Sequence, residues 1–98
     1  MASHRTGGPD SQTFATQVME VMDGWLSGKL SNAQAAEWAF QNTDVMEKHG
    51  RAWREAETLW RALAALAMLS SCQPEDMRST RREMEQARRT LRATLASR

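Results

Sequence analysis

Between Trp60 and Leu69 the chain has a single residue that is not apolar, Arg61. A membrane-spanning helix needs about 20 apolar residues, so this run is too short to cross a bilayer and is expected to lie inside a protein core. A helix that is apolar on nearly every side needs neighbours on most of them. We therefore expect a central helix over about residues 51–71, with alanines that allow other helices to approach closely.

The rest of the chain also favours helices. Isoleucine is absent, valine is rare, and no run alternates apolar and polar residues as a half-buried strand would. The chain has 98 residues, of which 41% are apolar, and this is enough to form one domain with a modest core. The sequence predicts an all-α, antiparallel bundle of four to five helices over residues 11–98, with a buried central helix. Residues 1–10 are expected to be a disordered leader.

Local signals predict where the first two helices begin and end. Asp10 or Ser11 is suited to N-cap the first helix, and Gly28 is suited to end it. Apolar residues at helical spacing give this helix one buried stripe: Phe14, Val18, Val21, Met22 and Trp25. The segment 31–34, Ser-Asn-Ala-Gln, has the form of a capping box that opens the second helix, which is expected to run to about Gln41.

Further along, residues 42–44 predict a turn. A short helix is then expected over residues 44–48, kinking at Gly50 or continuing into the central helix. The last helix is expected from Pro74, a residue favoured in the first turn, nearly to the end of the chain. Met77, Met84 and Leu91 repeat every seven residues and predict a thin apolar seam along it.

The charge is unevenly distributed. Residues 1–73 carry six basic and eight acidic side chains, and residues 74–98 carry seven arginines and four acids, so the two parts have net charges of −2 and +3. Two arginine pairs lie seven residues apart on one side of the last helix: Arg81, Arg82, Arg88 and Arg89. They indicate either a solvated face, with Glu83 and Glu85 as local partners, or a basic stripe for an acidic partner surface.

The overall composition excludes several classes of protein. A net charge of +1 gives no strong field toward DNA or an anionic membrane. One cysteine, Cys72, excludes a disulfide framework within the chain and favours a reducing cytoplasm. The first ten residues lack the apolar region of a signal peptide. Eleven arginines against two lysines suggest a bacterial genome rich in G and C.

The aromatic residues leave three interpretations open. Trp38 and Phe40 are two residues apart and point about 200° from each other on a helix, so one core cannot take both. One of them is expected to face a second neighbour, a pocket or a partner. The four tryptophans can be core residues, part of a partner surface, or the lining of an apolar pocket: Trp25, Trp38, Trp53 and Trp60.

No catalytic or metal motif is evident. His49 does not share a helix face cleanly with nearby acids, so neither a metal site nor a cofactor is predicted. Cys72 has no histidine near it in sequence, which disfavours nucleophilic catalysis. If the chain is an enzyme, an acid–base site could form where several groups converge on an apolar pocket, namely Asp23, Glu37, Asp44, His49 and Glu55. As surface charges on amphipathic helices, they would have no such role.

Three functions follow, in order of preference. The first is a small non-enzymatic protein-binding module, an adaptor, regulator or immunity-type protein, whose contacts are made by Trp38, Phe40 and the four arginines of the last helix. We expect it to be a homodimer through the central or last helix. The second is a small enzyme or ligand-binding protein of bacterial secondary metabolism that takes an apolar small molecule between its tryptophans. The third is a nucleic-acid binder that uses the arginine-rich helix.

One short segment resembles a known family. Residues 25–31, Trp-Leu-Ser-Gly-Lys-Leu-Ser, are followed by Ala35, Ala36 and the dipeptide Trp38-Ala39. This segment resembles the opening of the small helical bacteriocin immunity proteins of the colicin D type, which begin with a helix, a Leu-x-Gly-x-Ile/Leu-Ser turn and a second capped helix bearing aromatics. The resemblance covers about fifteen residues and implies an all-helical fold and a toxin-neutralising partner interaction.

Overall fold

Four α-helices make up most of residues 10–96, the part of the chain that the computed structural model describes. They are α1 (Ser11–Leu26), α2 (Asn32–His49), α3 (Ala56–Ala67) and α4 (Met77–Ala96), with 3₁₀ turns at Gly50–Ala52, Met68–Ser71 and Pro74–Asp76. No β-strand occurs in this range, and the predicted all-α class is confirmed. The predicted leader lies, apart from its last residue, outside the described residues.

Helix α1 begins and ends at the residues that the sequence indicated. The Asp10 side chain accepts a hydrogen bond from the Thr13 backbone N–H at 2.7 Å, which satisfies a free donor of the first turn. The chain turns back after Leu26 through Gly28, whose φ of +86° is readily adopted only by glycine. Val21 lies at the edge of the predicted stripe. The other four residues are buried: Phe14, Val18, Met22 and Trp25.

Helix α2 opens with the predicted capping box. Ser31 Oγ accepts from the Gln34 N–H at 3.1 Å, and the Gln34 side chain accepts from the Ser31 N–H at 2.9 Å. The prediction of a turn at residues 42–44 is wrong, because α2 continues to His49. Asn42 and Thr43 donate side-chain hydrogen bonds to the carbonyls of Trp38 and Phe40, so their polar groups are satisfied within the helix.

Helix α3 is shorter than the predicted central helix. The chain forms a 3₁₀ turn at Gly50–Ala52 and is extended at Trp53. The predicted start of the central helix near residue 51 is therefore wrong by about five residues. At the other end, α3 tightens into a 3₁₀ turn at Met68. The helix packs against α2 on one side and α4 on the other, while α1 packs against all three other helices.

The core draws side chains from every helix. Leu59, Leu63 and Leu66 of α3 are buried, and α4 contributes Met84 and Leu91 of its predicted seam. Met77, the first residue of that seam, is half-buried. Helix α3 is not enclosed on all sides, because Trp60, Ala64 and Met68 remain exposed along its outer face.

The capping box offers a direct test of this local structure. Ser31→Ala removes the acceptor for the Gln34 N–H and is expected to lower the free energy of unfolding by about 1 kcal/mol. Ser70→Ala is the control, since the exposed Ser70 hydroxyl only donates to the Ala67 carbonyl; its expected effect is within about 0.5 kcal/mol. Urea unfolding followed by far-UV circular dichroism measures both, and equal effects would contradict the role of the cap.

Candidate functional site

Three large apolar side chains are exposed on the described part of the chain. Phe40 is 57% exposed on α2, and Trp60 and Met68 are 40% and 69% exposed on and just after α3. Trp60, Ala64 and Met68 are spaced four residues apart, which places them on one side of the helix. We call these three residues the α3 stripe. Neighbouring exposed apolar groups of this kind mark interaction surfaces in soluble proteins.

A groove lies beside the Trp60 end of the α3 stripe, between α3 and α2. Its volume is about 470 Å³, and its lining comes from three elements: Met46, Glu47, Gly50, Arg51, Ala56 and Trp60. Gly50 packs closely against Met46, because a β-carbon at Gly50 would lie 2.8 Å from the Met46 methyl carbon. We call this feature the Trp60 groove.

Phe40 lies toward the opposite end of the α3 stripe, on the same α2 side. It lines a shallow groove of about 340 Å³ that includes Leu69 and Ser70, which directly follow Met68. Glu37, one turn earlier on α2, lines the same groove. Phe40 thus lies near the residues that follow the α3 stripe, on the α2 side of its Met68 end.

Charged side chains line the α4 side of the α3 stripe. Arg61 lies in a cleft with Glu83 and Gln86 of α4, toward the Trp60 end. Asp76 and Glu83 line a second cleft that contains Met68, toward the other end. On this side Arg61 lies toward the Trp60 end and Asp76 toward the Met68 end, while Glu83 borders both clefts.

Two of the predicted pocket tryptophans pack on Phe14 of α1. The centroid of the Phe14 ring lies 6.1 Å from that of Trp38 and 5.7 Å from that of Trp53. The His49 ring stacks near Trp53, with a centroid separation of 6.3 Å. Trp38 thus packs into the core through α1, and Phe40, on the other side of α2, is the exposed member of the pair.

The other two tryptophans lie apart from this cluster. Trp25 is buried and donates from its indole N–H to Asn32 Oδ1 at 2.7 Å, which ties the end of α1 to the start of α2. Trp60 faces outward on α3. The structure therefore brings Trp38 and Trp53 together and does not place all four indoles around one cavity.

The four arginines proposed as partner contacts fall into two pairs. Arg81 donates to the Leu26 carbonyl at the end of α1, and Arg88 forms a two-point ion pair with Asp23 of α1. These two side chains hold α4 against α1. Arg82 and Arg89 are exposed. Sequence reasoning placed all four on one side, but it could not find Asp23, which is 65 residues from Arg88.

The acid–base candidates are dispersed. Asp23 is paired with Arg88, Glu37 accepts a hydrogen bond from Gln41, and exposed Asp44 pairs with Lys48 at 3.7 Å. Each of these carboxylates has a partner on the surface of the bundle. None of them is held in the apolar surroundings that acid–base chemistry would need.

Glu55 differs from the other candidates because it is only 2% exposed. The residue makes an interaction within the protein. A side chain buried to this extent does not touch solvent. Glu55 therefore lies in the interior and lines none of the surface grooves described above.

Neither a cluster of metal-ligand side chains nor a membrane-spanning helix occurs among the described residues. Within residues 10–96, no three side chains of the His, Cys, Asp or Glu type lie together as metal ligands would. No helix in that range combines the length and the apolar composition that crossing a bilayer requires. Comparison with protein-family models, curated proteins and solved structures gives no match.

Proposed function

We propose that this protein is a small non-enzymatic protein-binding module and that the α3 stripe with Phe40 is its contact surface. The single observation that supports this most directly is the exposure of Phe40, Trp60 and Met68. Leaving these side chains in water costs free energy that burial against a partner would recover, at about 25 cal/mol per Å² of apolar surface. Tryptophan and methionine are also enriched where proteins meet.

The chemistry of the surface fits a protein better than a small molecule. The grooves beside Trp60 and Phe40 are open and shallow, and small-molecule sites bury most of their ligand in a concave cavity. Charged residues border the apolar surface on both sides, in the arrangement of an apolar centre and a polar rim. The resemblance to bacteriocin immunity proteins suggests the same class of function and remains a prediction.

In-cell photo-cross-linking tests this proposal. A photoreactive phenylalanine analogue in place of Met68, in cells that make the protein naturally, is expected to give a covalent adduct of discrete mass. The same analogue in place of Arg89, exposed on α4 near Asp23, is the control and should give little. Adding Ala64→Glu to the Met68 probe places a charge in the middle of the stripe and should remove the adduct. Equal adducts at both positions, or none at Met68, would contradict the proposal.

A further inference from the structure

We propose that the occupant of this surface is a second copy of the chain, with the two α3 helices packed antiparallel across a two-fold axis at Ala64. The inference rests on the proposed function, because it names the partner of the same surface. Three features support it: the symmetry of the α3 stripe, the relation between Phe40 and the Trp60 groove, and the charges on the α4 side.

The α3 stripe is symmetric about its middle residue. Trp60 lies four residues before Ala64, and Met68 lies four residues after it. In a two-fold antiparallel pair centred on Ala64, each Trp60 lies at the same end of the interface as the second copy's Met68, and the two alanines face each other. The small residue at the crossing point allows the helices to approach closely, while large side chains on either side fill the space beyond it.

The α2 side of this arrangement is also complementary. A two-fold axis perpendicular to the helices exchanges the ends of the stripe and keeps the α2 sides of both copies together. Phe40, toward the Met68 end, then lies near the second copy's Trp60 groove. An exposed ring is thus directed toward an open groove of about 470 Å³ whose lining includes apolar groups of Met46, Gly50 and Ala56 beside Glu47 and Arg51. Because the contact is two-fold, it occurs twice in one dimer.

Charges on the α4 side match under the same operation. Arg61 lies toward the Trp60 end, and Asp76 and Glu83 line the cleft with Met68. Exchanging the ends brings Arg61 of each copy toward Asp76 of the other, whereas Glu83 already shares a cleft with Arg61 of its own chain. Within its own chain Arg61 pairs with Glu57 at 2.9 Å, but both side chains are mostly exposed, so that pair contributes little and leaves Arg61 available.

The α2 side carries charges of both signs. Arg51 and Glu47 lie together at the Trp60 groove, and Glu37 lies beside Phe40. Arg51 can therefore approach the second copy's Glu37, while Glu47 stays near its own Arg51. Opposite charges at the rim fix the register of the two copies more than they add affinity.

Disulfide trapping tests the position of the axis. Ala64→Cys in a Cys72→Ser background is expected to form a cross-linked species of about twice the 11.1 kDa chain mass under mild oxidation. A residue on a two-fold axis meets its own copy, within the 4.4–6.8 Å between α-carbons that a disulfide requires. Gln17→Cys, exposed on α1, is the matched control. Cross-linking at residue 64 that is no faster than at residue 17 would overturn the inference.

A charge swap tests the contact between Arg61 and Asp76. Light scattering after size exclusion is expected to show a dimer for the wild type and a dissociation constant raised about tenfold or more by Arg61→Glu or Asp76→Arg alone. The double variant Arg61→Glu/Asp76→Arg restores opposite charges and should recover the dimer. Arg89→Glu makes the same charge change outside the surface and should leave the dimer unchanged.

The two proposals fail in different ways. If light scattering gives a mass of 11.1 kDa for the wild-type chain at a concentration of about 100 μM, the self-pairing is overturned. If the Met68 probe then gives an adduct whose added mass differs from one chain, the binding function stands with a different partner. If it gives no adduct, both proposals are wrong.

Discussion

Phe14→Ala is expected to lower the free energy of unfolding by about 3–5 kcal/mol, the usual cost of truncating a buried aromatic side chain. Phe14 is buried at the start of α1, and its ring lies near both Trp38 and Trp53. Its removal opens a cavity where α1, α2 and the connection to α3 meet. A domain of this size has a total stability of about 5–15 kcal/mol, so the loss is a large part of it.

Phe40→Ala is the matched control for this prediction. The chemical change is identical, but Phe40 is 57% exposed, so its loss is expected to change stability by less than about 1 kcal/mol. Urea unfolding at a chain concentration at which light scattering shows a monomer, followed by tryptophan fluorescence, measures both variants, since any self-association makes stability depend on concentration. Equal losses for Phe14 and Phe40 would contradict the burial assigned to the two rings.

Some helix boundaries can be predicted from the sequence because they depend on local chemistry. Asp10 and Ser31 satisfy backbone donors within three residues, and Gly28 adopts a positive φ within a single turn. Interactions of this range are visible in the sequence itself. For this reason the start of α1 and the start of α2 were predicted correctly.

Other boundaries follow contacts that the residue types alone do not reveal. Asn42 and Thr43 resemble turn residues, but their side chains bond to carbonyls one turn earlier and α2 continues through them. Gly50 packs closely against Met46 at the end of α2, and Trp53, just before α3, packs on Phe14 of α1. Such contacts outweigh local preference, and a single sequence does not show them.

The candidate surface was partly predictable for the same reason. The spacing of Trp38 and Phe40 requires them to point apart, but the position of α1 decides which of them is buried. The run from Trp60 to Leu69 predicted a helix with more apolar surface than the rest of the chain can cover. Ala64 and Met68 are residues of this run that remain exposed. The contacts of Arg81 and Arg88 with α1 span more than 50 residues, and helical periodicity could not reveal them.

Glu55→Ala is expected to lower the free energy of unfolding by about 2–4 kcal/mol, because it removes a side chain that is only 2% exposed and leaves a cavity in its place. Glu55 precedes α3 but makes no side-chain hydrogen bond that caps the helix, so the loss does not come from a missing cap. Glu55→Gln keeps the size and some hydrogen-bonding capacity and should cost less.

Glu57→Ala is the control for Glu55→Ala. Glu57 lies two residues further along, with a side chain that is 81% exposed and paired with Arg61, and its loss should change stability by less than about 1 kcal/mol. Urea unfolding at fixed chain concentration compares the three variants. If Glu55→Ala costs no more than Glu57→Ala, the Glu55 carboxylate contributes nothing to the fold. Its burial would then be a cost that some other role, such as proton transfer on a bound molecule, would have to explain.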